Sequence, residues 1–324
     1  MSTFQPPALL RNAHIQSILA STRLRRLRIG ARARKLEAAS EEVLIECRDG
    51  TRLIGDYAQQ PATARGLVIL IHGWEGCSKS TYMLSSGSAL FLAGFDVFRL
   101  NLRDHGPSHH LNRELFNSTR LSDVLEAVHW IQQRYPHDKN YLAGFSLGGN
   151  FSLRVAANAA EYDIKLDQVV AVCPVLNPVN TMEALDSGWW LYEKYFVRKW
   201  KRSLRTKLKH FPELGYEKDL LSLKSLREMN RYFVPRFTQF PDAPTYLLGY
   251  AIIGDALANL QVPSHIIAAQ DDPICGAEDL PNLAKTPNLT IESTLHGGHC
   301  GYVSNYRLDS WVDHRLLELL HQPE

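Results

Sequence analysis

The run Tyr141-Leu142-Ala143-Gly144-Phe145-Ser146-Leu147-Gly148-Gly149-Asn150 decides how this chain is read. Its first half is apolar and strand-like, and the residues from Asn150 to Ala160 form a plausible helix. Ser146 is therefore expected at a sharp strand-to-helix turn inside Gly-x-Ser-x-Gly, the elbow that exposes a serine hydroxyl above a sheet. A five-residue match alone is weak, and its setting between strand and helix gives it weight. Gly144 and Gly148 fit a turn so tight that a Cβ at either position would clash.

Outward from this elbow, short β-rich runs alternate with segments of helical period, a pattern that predicts an α/β fold. Strands are expected at 43–47, 53–56, 67–71, 96–100, 141–145, 168–173, 264–269 and 289–293. The first two, split by Asp49-Gly50, read as an antiparallel hairpin. Leu121, Val124, Leu125, Val128 and Ile131 recur at helical spacing and predict a helix packed on the sheet. The central runs LVIL, VVAVC and HIIAA are almost wholly apolar, as expected of parallel strands covered on both faces. The rhythm breaks at about 177–260, where Trp189, Trp190, Tyr192, Tyr195, Phe196 and Trp200 crowd together. We read that segment as a mostly helical cap inserted into a domain of residues 43–324, over the strand ends where ligands bind in open α/β sheets. Residues 1–42 read as a separate basic arm.

A serine hydroxyl needs a base to take its proton as it attacks, and histidine has the suitable pKa. His299, in Gly297-Gly298-His299-Cys300-Gly301 after the last expected strand, is the best placed of 13 histidines, with His296 the nearest decoy. A carboxylate must orient that imidazole. Asp271-Asp272-Pro273 follows the run HIIAA directly; Asp272 is favoured, with Asp271 a solvated or hydrogen-bonding neighbour. The order Ser, Asp, His is the one that goes with such an elbow. The residues after the sixth strand, Cys173 to Asn177, include no carboxylate. An oxyanion would need two backbone N–H donors: Leu147 next to the serine, and Trp74 in His72-Gly73-Trp74-Glu75-Gly76, with Glu75 as fallback. His72 is expected to brace that loop. Arg103-Asp104-His105-Gly106-Pro107, with His109 and His110, reads as a scaffold of the pocket floor in preference to a metal cluster, so neither metal nor cofactor is expected.

Over the 324 residues, 45% hydrophobic and 22% charged content is that of an ordinary globular protein, and a net charge of +2 gives no pull toward nucleic acid. Five scattered cysteines without a CxxC pair argue against a disulfide framework or a zinc site, and suggest a reducing, cytoplasmic setting. No run of about 18 apolar residues predicts a membrane span, and the N-terminus lacks the form of a secretory signal. The arm concentrates Arg23, Arg25, Arg26, Arg28, Arg32, Arg34 and Lys35. A solvated arm or helix is the first reading of that run, and peripheral contact with an anionic membrane surface the second. For Arg198, Lys199, Lys201, Arg202 and Arg205 in the cap, the first reading is a solvated helix face and the second is contact with an anionic headgroup.

With these motifs the chain resembles the YheT-like branch of the α/β-hydrolases, relatives of the abhydrolase-domain lipases and esterases. The likeness rests on Leu10-Arg11-Asn12-Ala13-His14-Ile15-Gln16-Ser17, HGWEG, RDHGPSHHLN, GFSLGGN, DDPI and HGGHCG, which span most of the chain. It implies an α/β-hydrolase fold, a nucleophile at Ser146 with Asp272 and His299 as its partners, and lipid-like or short acyl esters as small-molecule substrates. Alternatives are an acyltransferase on the same residues and a non-catalytic binding protein on the same fold. Acyl length, leaving alcohol and oligomeric state stay open.

Overall fold

Five consecutive apolar residues, Leu67–Ile71, form strand β3 and divide between two cores: Leu67, Ile69 and Ile71 enter one, Val68 and Leu70 the other. Successive side chains of a strand point to opposite faces, so an unbroken apolar run belongs to a strand covered on both sides. The structure, a computed structural model, describes residues 4–320. Around β3 lie β1 (Ser40–Glu46), β2 (Arg52–Ala58), β4 (Asp96–Asn101), β5 (Asn140–Phe145), β6 (Gln168–Val172), β7 (Ser264–Ala269) and β8 (Leu289–Thr294). They make one sheet in the order β1-β2-β4-β3-β5-β6-β7-β8, with β1, β2 and β4 paired antiparallel and the remaining pairs parallel.

Each strand expected from the sequence is present. β1 starts earlier than expected, at Ser40, because Ser40–Glu42 continue the ladder opposite Asp56–Ala58. Helices α5 (Leu121–Arg134) and α6 (Leu147–Asn158) cover one face through Val124, Val128, Ile131, Phe151 and Val155. The other face is covered by α3 (Gly30–Ala38), α4 (Thr81–Leu92) and α12 (Trp311–Leu320), through Leu36, Leu84, Leu90, Leu316 and Leu319. Because the parallel strands are neighbours in register, the loops that leave their C-terminal ends are gathered at one edge of the sheet.

The basic run of the arm is less solvated than its composition suggests. It folds into α1 (Ala13–Leu19), α2 (Arg23–Arg28) and α3, and Arg25 is buried, donating to Ala20 O at 3.0 Å and Ser85 Oγ at 3.3 Å. Arg32 pairs with buried Asp313 of α12 at 2.7 Å. Part of the positive charge is thus used internally, tying the arm to the sheet's helices. Among the described residues no helix is long and apolar enough to cross a membrane.

Between β6 and β7 run α7 (Pro178–Ser187), α8 (Trp190–His210), α9 (Glu217–Ser222), α10 (Leu226–Phe237) and α11 (Ala243–Leu248), without a strand. A buried ion pair pins this insertion to the sheet: Lys207 Nζ on α8 donates to Asp104 Oδ1 at 2.7 Å, and to the carbonyls of Asn112 and Glu114 at 2.5 and 3.3 Å. Burial pulls the ammonium below its ordinary pKa and pushes the carboxyl above its own, so each charge depends on the other's presence. Lys207→Met should therefore cost about 3–5 kcal/mol, read as a lowered denaturation midpoint. Arg113→Met, which breaks the exposed pair with Glu213, should cost less than about 1 kcal/mol.

Candidate active site

Ser146 sits between the end of β5 and the start of α6 with φ 54° and ψ −119°, a conformation that non-glycine residues rarely adopt. Its N–H is tied to Val172 O at 2.9 Å, and its carbonyl accepts the Asn150 N–H at 3.1 Å. The flanking glycines make the turn possible. A Cβ on Gly144 would run into the Gly148 carbonyl, and one on Gly148 into the carbonyls of Ile71 and His72 at the end of β3.

Three of the residues singled out in the sequence meet here. His299 Nε2 lies 2.9 Å from Ser146 Oγ, and Nδ1 lies 2.9 and 3.2 Å from the two oxygens of Asp272. A carboxylate only accepts, so Nδ1 carries the proton and Nε2 is left to accept from the serine hydroxyl. Asp272 is buried in the turn after β7, where Oδ1 also accepts the N–H groups of Ile274 and Cys275, each at 2.9 Å. Asp271 faces elsewhere: its Oδ1 accepts Gly298 N–H at 2.8 Å and its Oδ2 lies 3.5 Å from His296 Nδ1. It braces the loop that carries His299.

That loop has a second brace, which the sequence reading missed. His299 N–H donates to Ser17 Oγ at 2.8 Å, and Gln16 Oε1 accepts Val303 N–H at 2.7 Å while Gln16 Nε2 donates to Val303 O at 3.1 Å. Helix α1 lies so close that a Cβ on Gly298, at φ +54°, would strike the Ala13 carbonyl. The signal was in the run Leu10 to Ser17, noted as a motif without a partner; nothing local to that run says which loop it touches.

In the loop after β3 the backbone donors are almost all committed. Gly73 N–H bonds to Tyr82 Oη at 3.0 Å, Glu75 N–H to His105 Nε2 at 3.0 Å and Gly76 N–H to Gly73 O at 2.9 Å. Trp74 N–H, the sequence-based choice, has no partner among the described residues, and the fallback Glu75 N–H is taken. Leu147 N–H is the first of α6 and so has no partner within the helix. Trp74 is held by α8, stacked on Phe196 at 5.2 Å and edge-on to Trp200 at 5.4 Å.

His72 and His105 are braces. Each donates from Nδ1 to a backbone carbonyl, of Gly73 and Arg103 respectively, and accepts a backbone N–H at Nε2, from Leu102 and Glu75. Burial holds both neutral, His72 at about 4 and His105 well below its ordinary value. His105, His109 and His110 do not gather around a common point: His109 Nε2 meets Ser203 Oγ at 2.8 Å, and His110 faces His210. The donor atoms of Asp272, Cys275 and His299 lie within 4.8 Å of one another, but burial pushes the Cys275 thiol well above its ordinary pKa. Both oxygens of Asp272 are engaged in hydrogen bonds, Oδ2 with His299 Nδ1 and Oδ1 with the N–H groups of Ile274 and Cys275 as well, so this set reads as a hydrogen-bonded relay.

Ser146 and His299 open onto a cavity of about 850 Å³ between the sheet edge, the insertion and the arm. Phe116, Val175, Leu185, Leu247 and Ile274 make part of its wall apolar, and among the described residues Glu75 is the one acid lining it. Burial pushes that carboxyl up to about 8, so it is mostly uncharged at neutral pH.

A family model described as the alpha/beta hydrolase fold matches residues 66–306. The chain belongs to this family. Among its relatives, the Escherichia coli protein YheT is 23% identical over 328 residues, covering 98% of this chain and 92% of that protein. The medium-chain fatty acid ethyl ester synthase/esterase 2 of Saccharomyces cerevisiae is 24% identical over 284 residues, which is 78% of this chain and 61% of the yeast protein. Among solved structures, a Pyrococcus furiosus esterase superposes with a TM-score of 0.61 at 19% identity, covering 89% of this chain and 92% of its own.

The elbow packing predicts an unequal response to one added methyl group. Gly148→Ala, which forces a Cβ into backbone carbonyls, should cost about 3 kcal/mol. At Gly149 the nearest atoms to a new Cβ are Gly144 O and Pro174 Cβ, both 3.2 Å away. Gly149→Ala should accordingly stay within about 1 kcal/mol, a difference that paired denaturation curves resolve.

Proposed function

We propose that the protein hydrolyses carboxylic esters of acyl or lipid-like character through an acyl-enzyme on Ser146. The observation that carries this reading is a single imidazole 2.9 Å from both a strained serine hydroxyl and a buried carboxylate. As Ser146 Oγ attacks the ester carbonyl carbon, its proton passes to His299 Nε2, and Asp272 fixes the tautomer and stabilises the imidazolium. The carbonyl oxygen becomes an anion between the N–H groups of Leu147 and Trp74, where each donor is worth a few kcal/mol of barrier height. Collapse expels the alcohol with the proton from His299; water then attacks the acyl-serine, giving its proton to the same nitrogen, and a second collapse breaks the acyl–oxygen bond, releasing the acid as His299 returns the proton to Ser146 Oγ. The apolar wall of the cavity suits an acyl chain.

Acyl transfer is the second reading, favoured by one observation: a relative is named for both ester synthesis and ester hydrolysis. An alcohol in place of water would attack the same acyl-serine. Turnover of a p-nitrophenyl ester with added ethanol separates the two, because transfer yields the ethyl ester and hydrolysis the free acid.

A fluorophosphonate probe should label the protein, and Ser146→Ala should abolish both labelling and ester turnover. Well-folded protein that takes no label would overturn the reading. Asp272→Asn should lower kcat by about 10⁴-fold. Asp271→Asn, which alters a loop brace alone, should lower it far less; the reverse ranking would move the acid to Asp271.

A further inference from the structure

The mouth of the cavity has an unusual surface. Ile18, Trp189, Trp190 and Tyr195 line the cavity, yet they are 45%, 37%, 60% and 50% exposed. Interspersed with them in the same lining are Lys79, Lys194, Arg198 and Lys199. Lys199 is turned inward, donating from Nζ to Glu75 O at 2.9 Å, and Lys194 Nζ lies over the Trp190 ring at 5.2 Å. On the arm side Arg26 donates to Lys79 O at 2.6 Å while its guanidinium pairs with Glu37 at 3.2 Å, so it holds the Lys79 loop in place and adds no net charge to the mouth. With Glu75 the one lining acid among the described residues and held mostly uncharged, the mouth is positive although the chain as a whole carries only +2.

Water alone is a poor match for such a surface. Exposed apolar side chains grouped in one place mark an interaction site, and tryptophan and tyrosine rings favour the level of lipid headgroups, with one end apolar and one wet. Lysine and arginine among them add attraction to anionic lipids. A soluble anionic substrate would account for the cations and leave the outward-facing rings without a role. A bilayer accounts for both.

We propose that this mouth, formed by the end of α1, the start of α8 and the Lys79 loop, docks peripherally on a lipid bilayer bearing anionic headgroups, so that acyl chains enter the cavity from the membrane. The proposal rests on the ester-hydrolase reading for its purpose, and on the mouth's chemistry for its evidence.

The test is co-sedimentation of the full chain with vesicles of phosphatidylcholine alone and of phosphatidylcholine with phosphatidylglycerol. Binding to the anionic vesicles, weak or absent on the neutral ones and falling with added salt, is expected. Each cation removed near the surface weakens binding about fivefold, so Lys194→Gln with Arg198→Gln should lose about 30-fold. Lys285→Gln, which lies before β8 at the opposite edge of the sheet, should lose none. Trp190→Ala with Tyr195→Ala should also weaken binding, and it stands in if the charge variant does not fold. Failure to bind anionic vesicles, equal binding to both kinds, or binding indifferent to both double variants would overturn the proposal. Turnover of a soluble p-nitrophenyl butyrate by the unaltered protein reads the hydrolase function separately, so either idea can fail without the other.

Discussion

Ser146 is held in a backbone conformation that an L-residue adopts only when its surroundings leave it no alternative. Much of the remaining site follows from that constraint. The turn is sharp because Gly144 and Gly148 let the end of β5 and the first turn of α6 pass within reach of β3. This lifts the hydroxyl above the C-terminal edge of the sheet and places the first N–H of α6 beside it. The strain is stabilised by the surrounding sheet: Val172 O of the adjacent strand takes the serine N–H, and the helix takes its carbonyl.

The imidazole is placed by parts of the chain distant in sequence. His299 is on a glycine-rich loop that could adopt many conformations, and three groups restrict it. Asp272 takes the ring, Asp271 takes the Gly298 N–H and Ser17 takes the N–H of His299 itself. Ser17 belongs to α1, so the arm forms part of the site's framework. Gln16 extends the clamp by bonding both backbone groups of Val303. The internal pairing of Arg32 with Asp313 reinforces the same attachment from the far side of the arm.

What the sequence made legible was whatever depends on local pattern. The central strands β3, β6 and β7 could be read because a strand covered on both faces is apolar almost throughout, and the turn around Ser146 because glycine at two fixed positions has few other causes. Asp272 could be preferred over Asp271 from its spacing after Ala269 and from Pro273, which fixes the turn behind it, and the two side chains point in different directions. What stayed hidden was contact between distant segments. Nothing near Ser17 announces that its hydroxyl accepts an N–H from residue 299, and nothing near His105 announces that its ring accepts the Glu75 N–H. Arg25 was hidden for the same reason: composition suggested solvent, which holds for the exposed Arg23, Arg28, Arg34 and Lys35, whereas Arg25 is buried with its partners Ala20 and Ser85.

The insertion and the loop after β3 are mechanically one unit, which bears on how the cavity keeps its shape. Lys207 fixes α8 to Asp104 in the loop after β4, and Ser203 on the same helix donates to the Asp104 carbonyl at 3.2 Å. The next residue, His105, takes the Glu75 N–H, while Phe196 and Trp200 of α8 pack on Trp74. The peptide that presents the Trp74 N–H is thus gripped from both sides by contacts that begin at a single helix. That helix also carries Trp190, Tyr195, Lys194 and Arg198 at the cavity mouth. A displacement of α8 would therefore change the mouth and the Trp74 N–H together. Burying Lys207 without solvent to replace its partners makes such a displacement costly, and this keeps the entrance and the reacting end of the cavity in register.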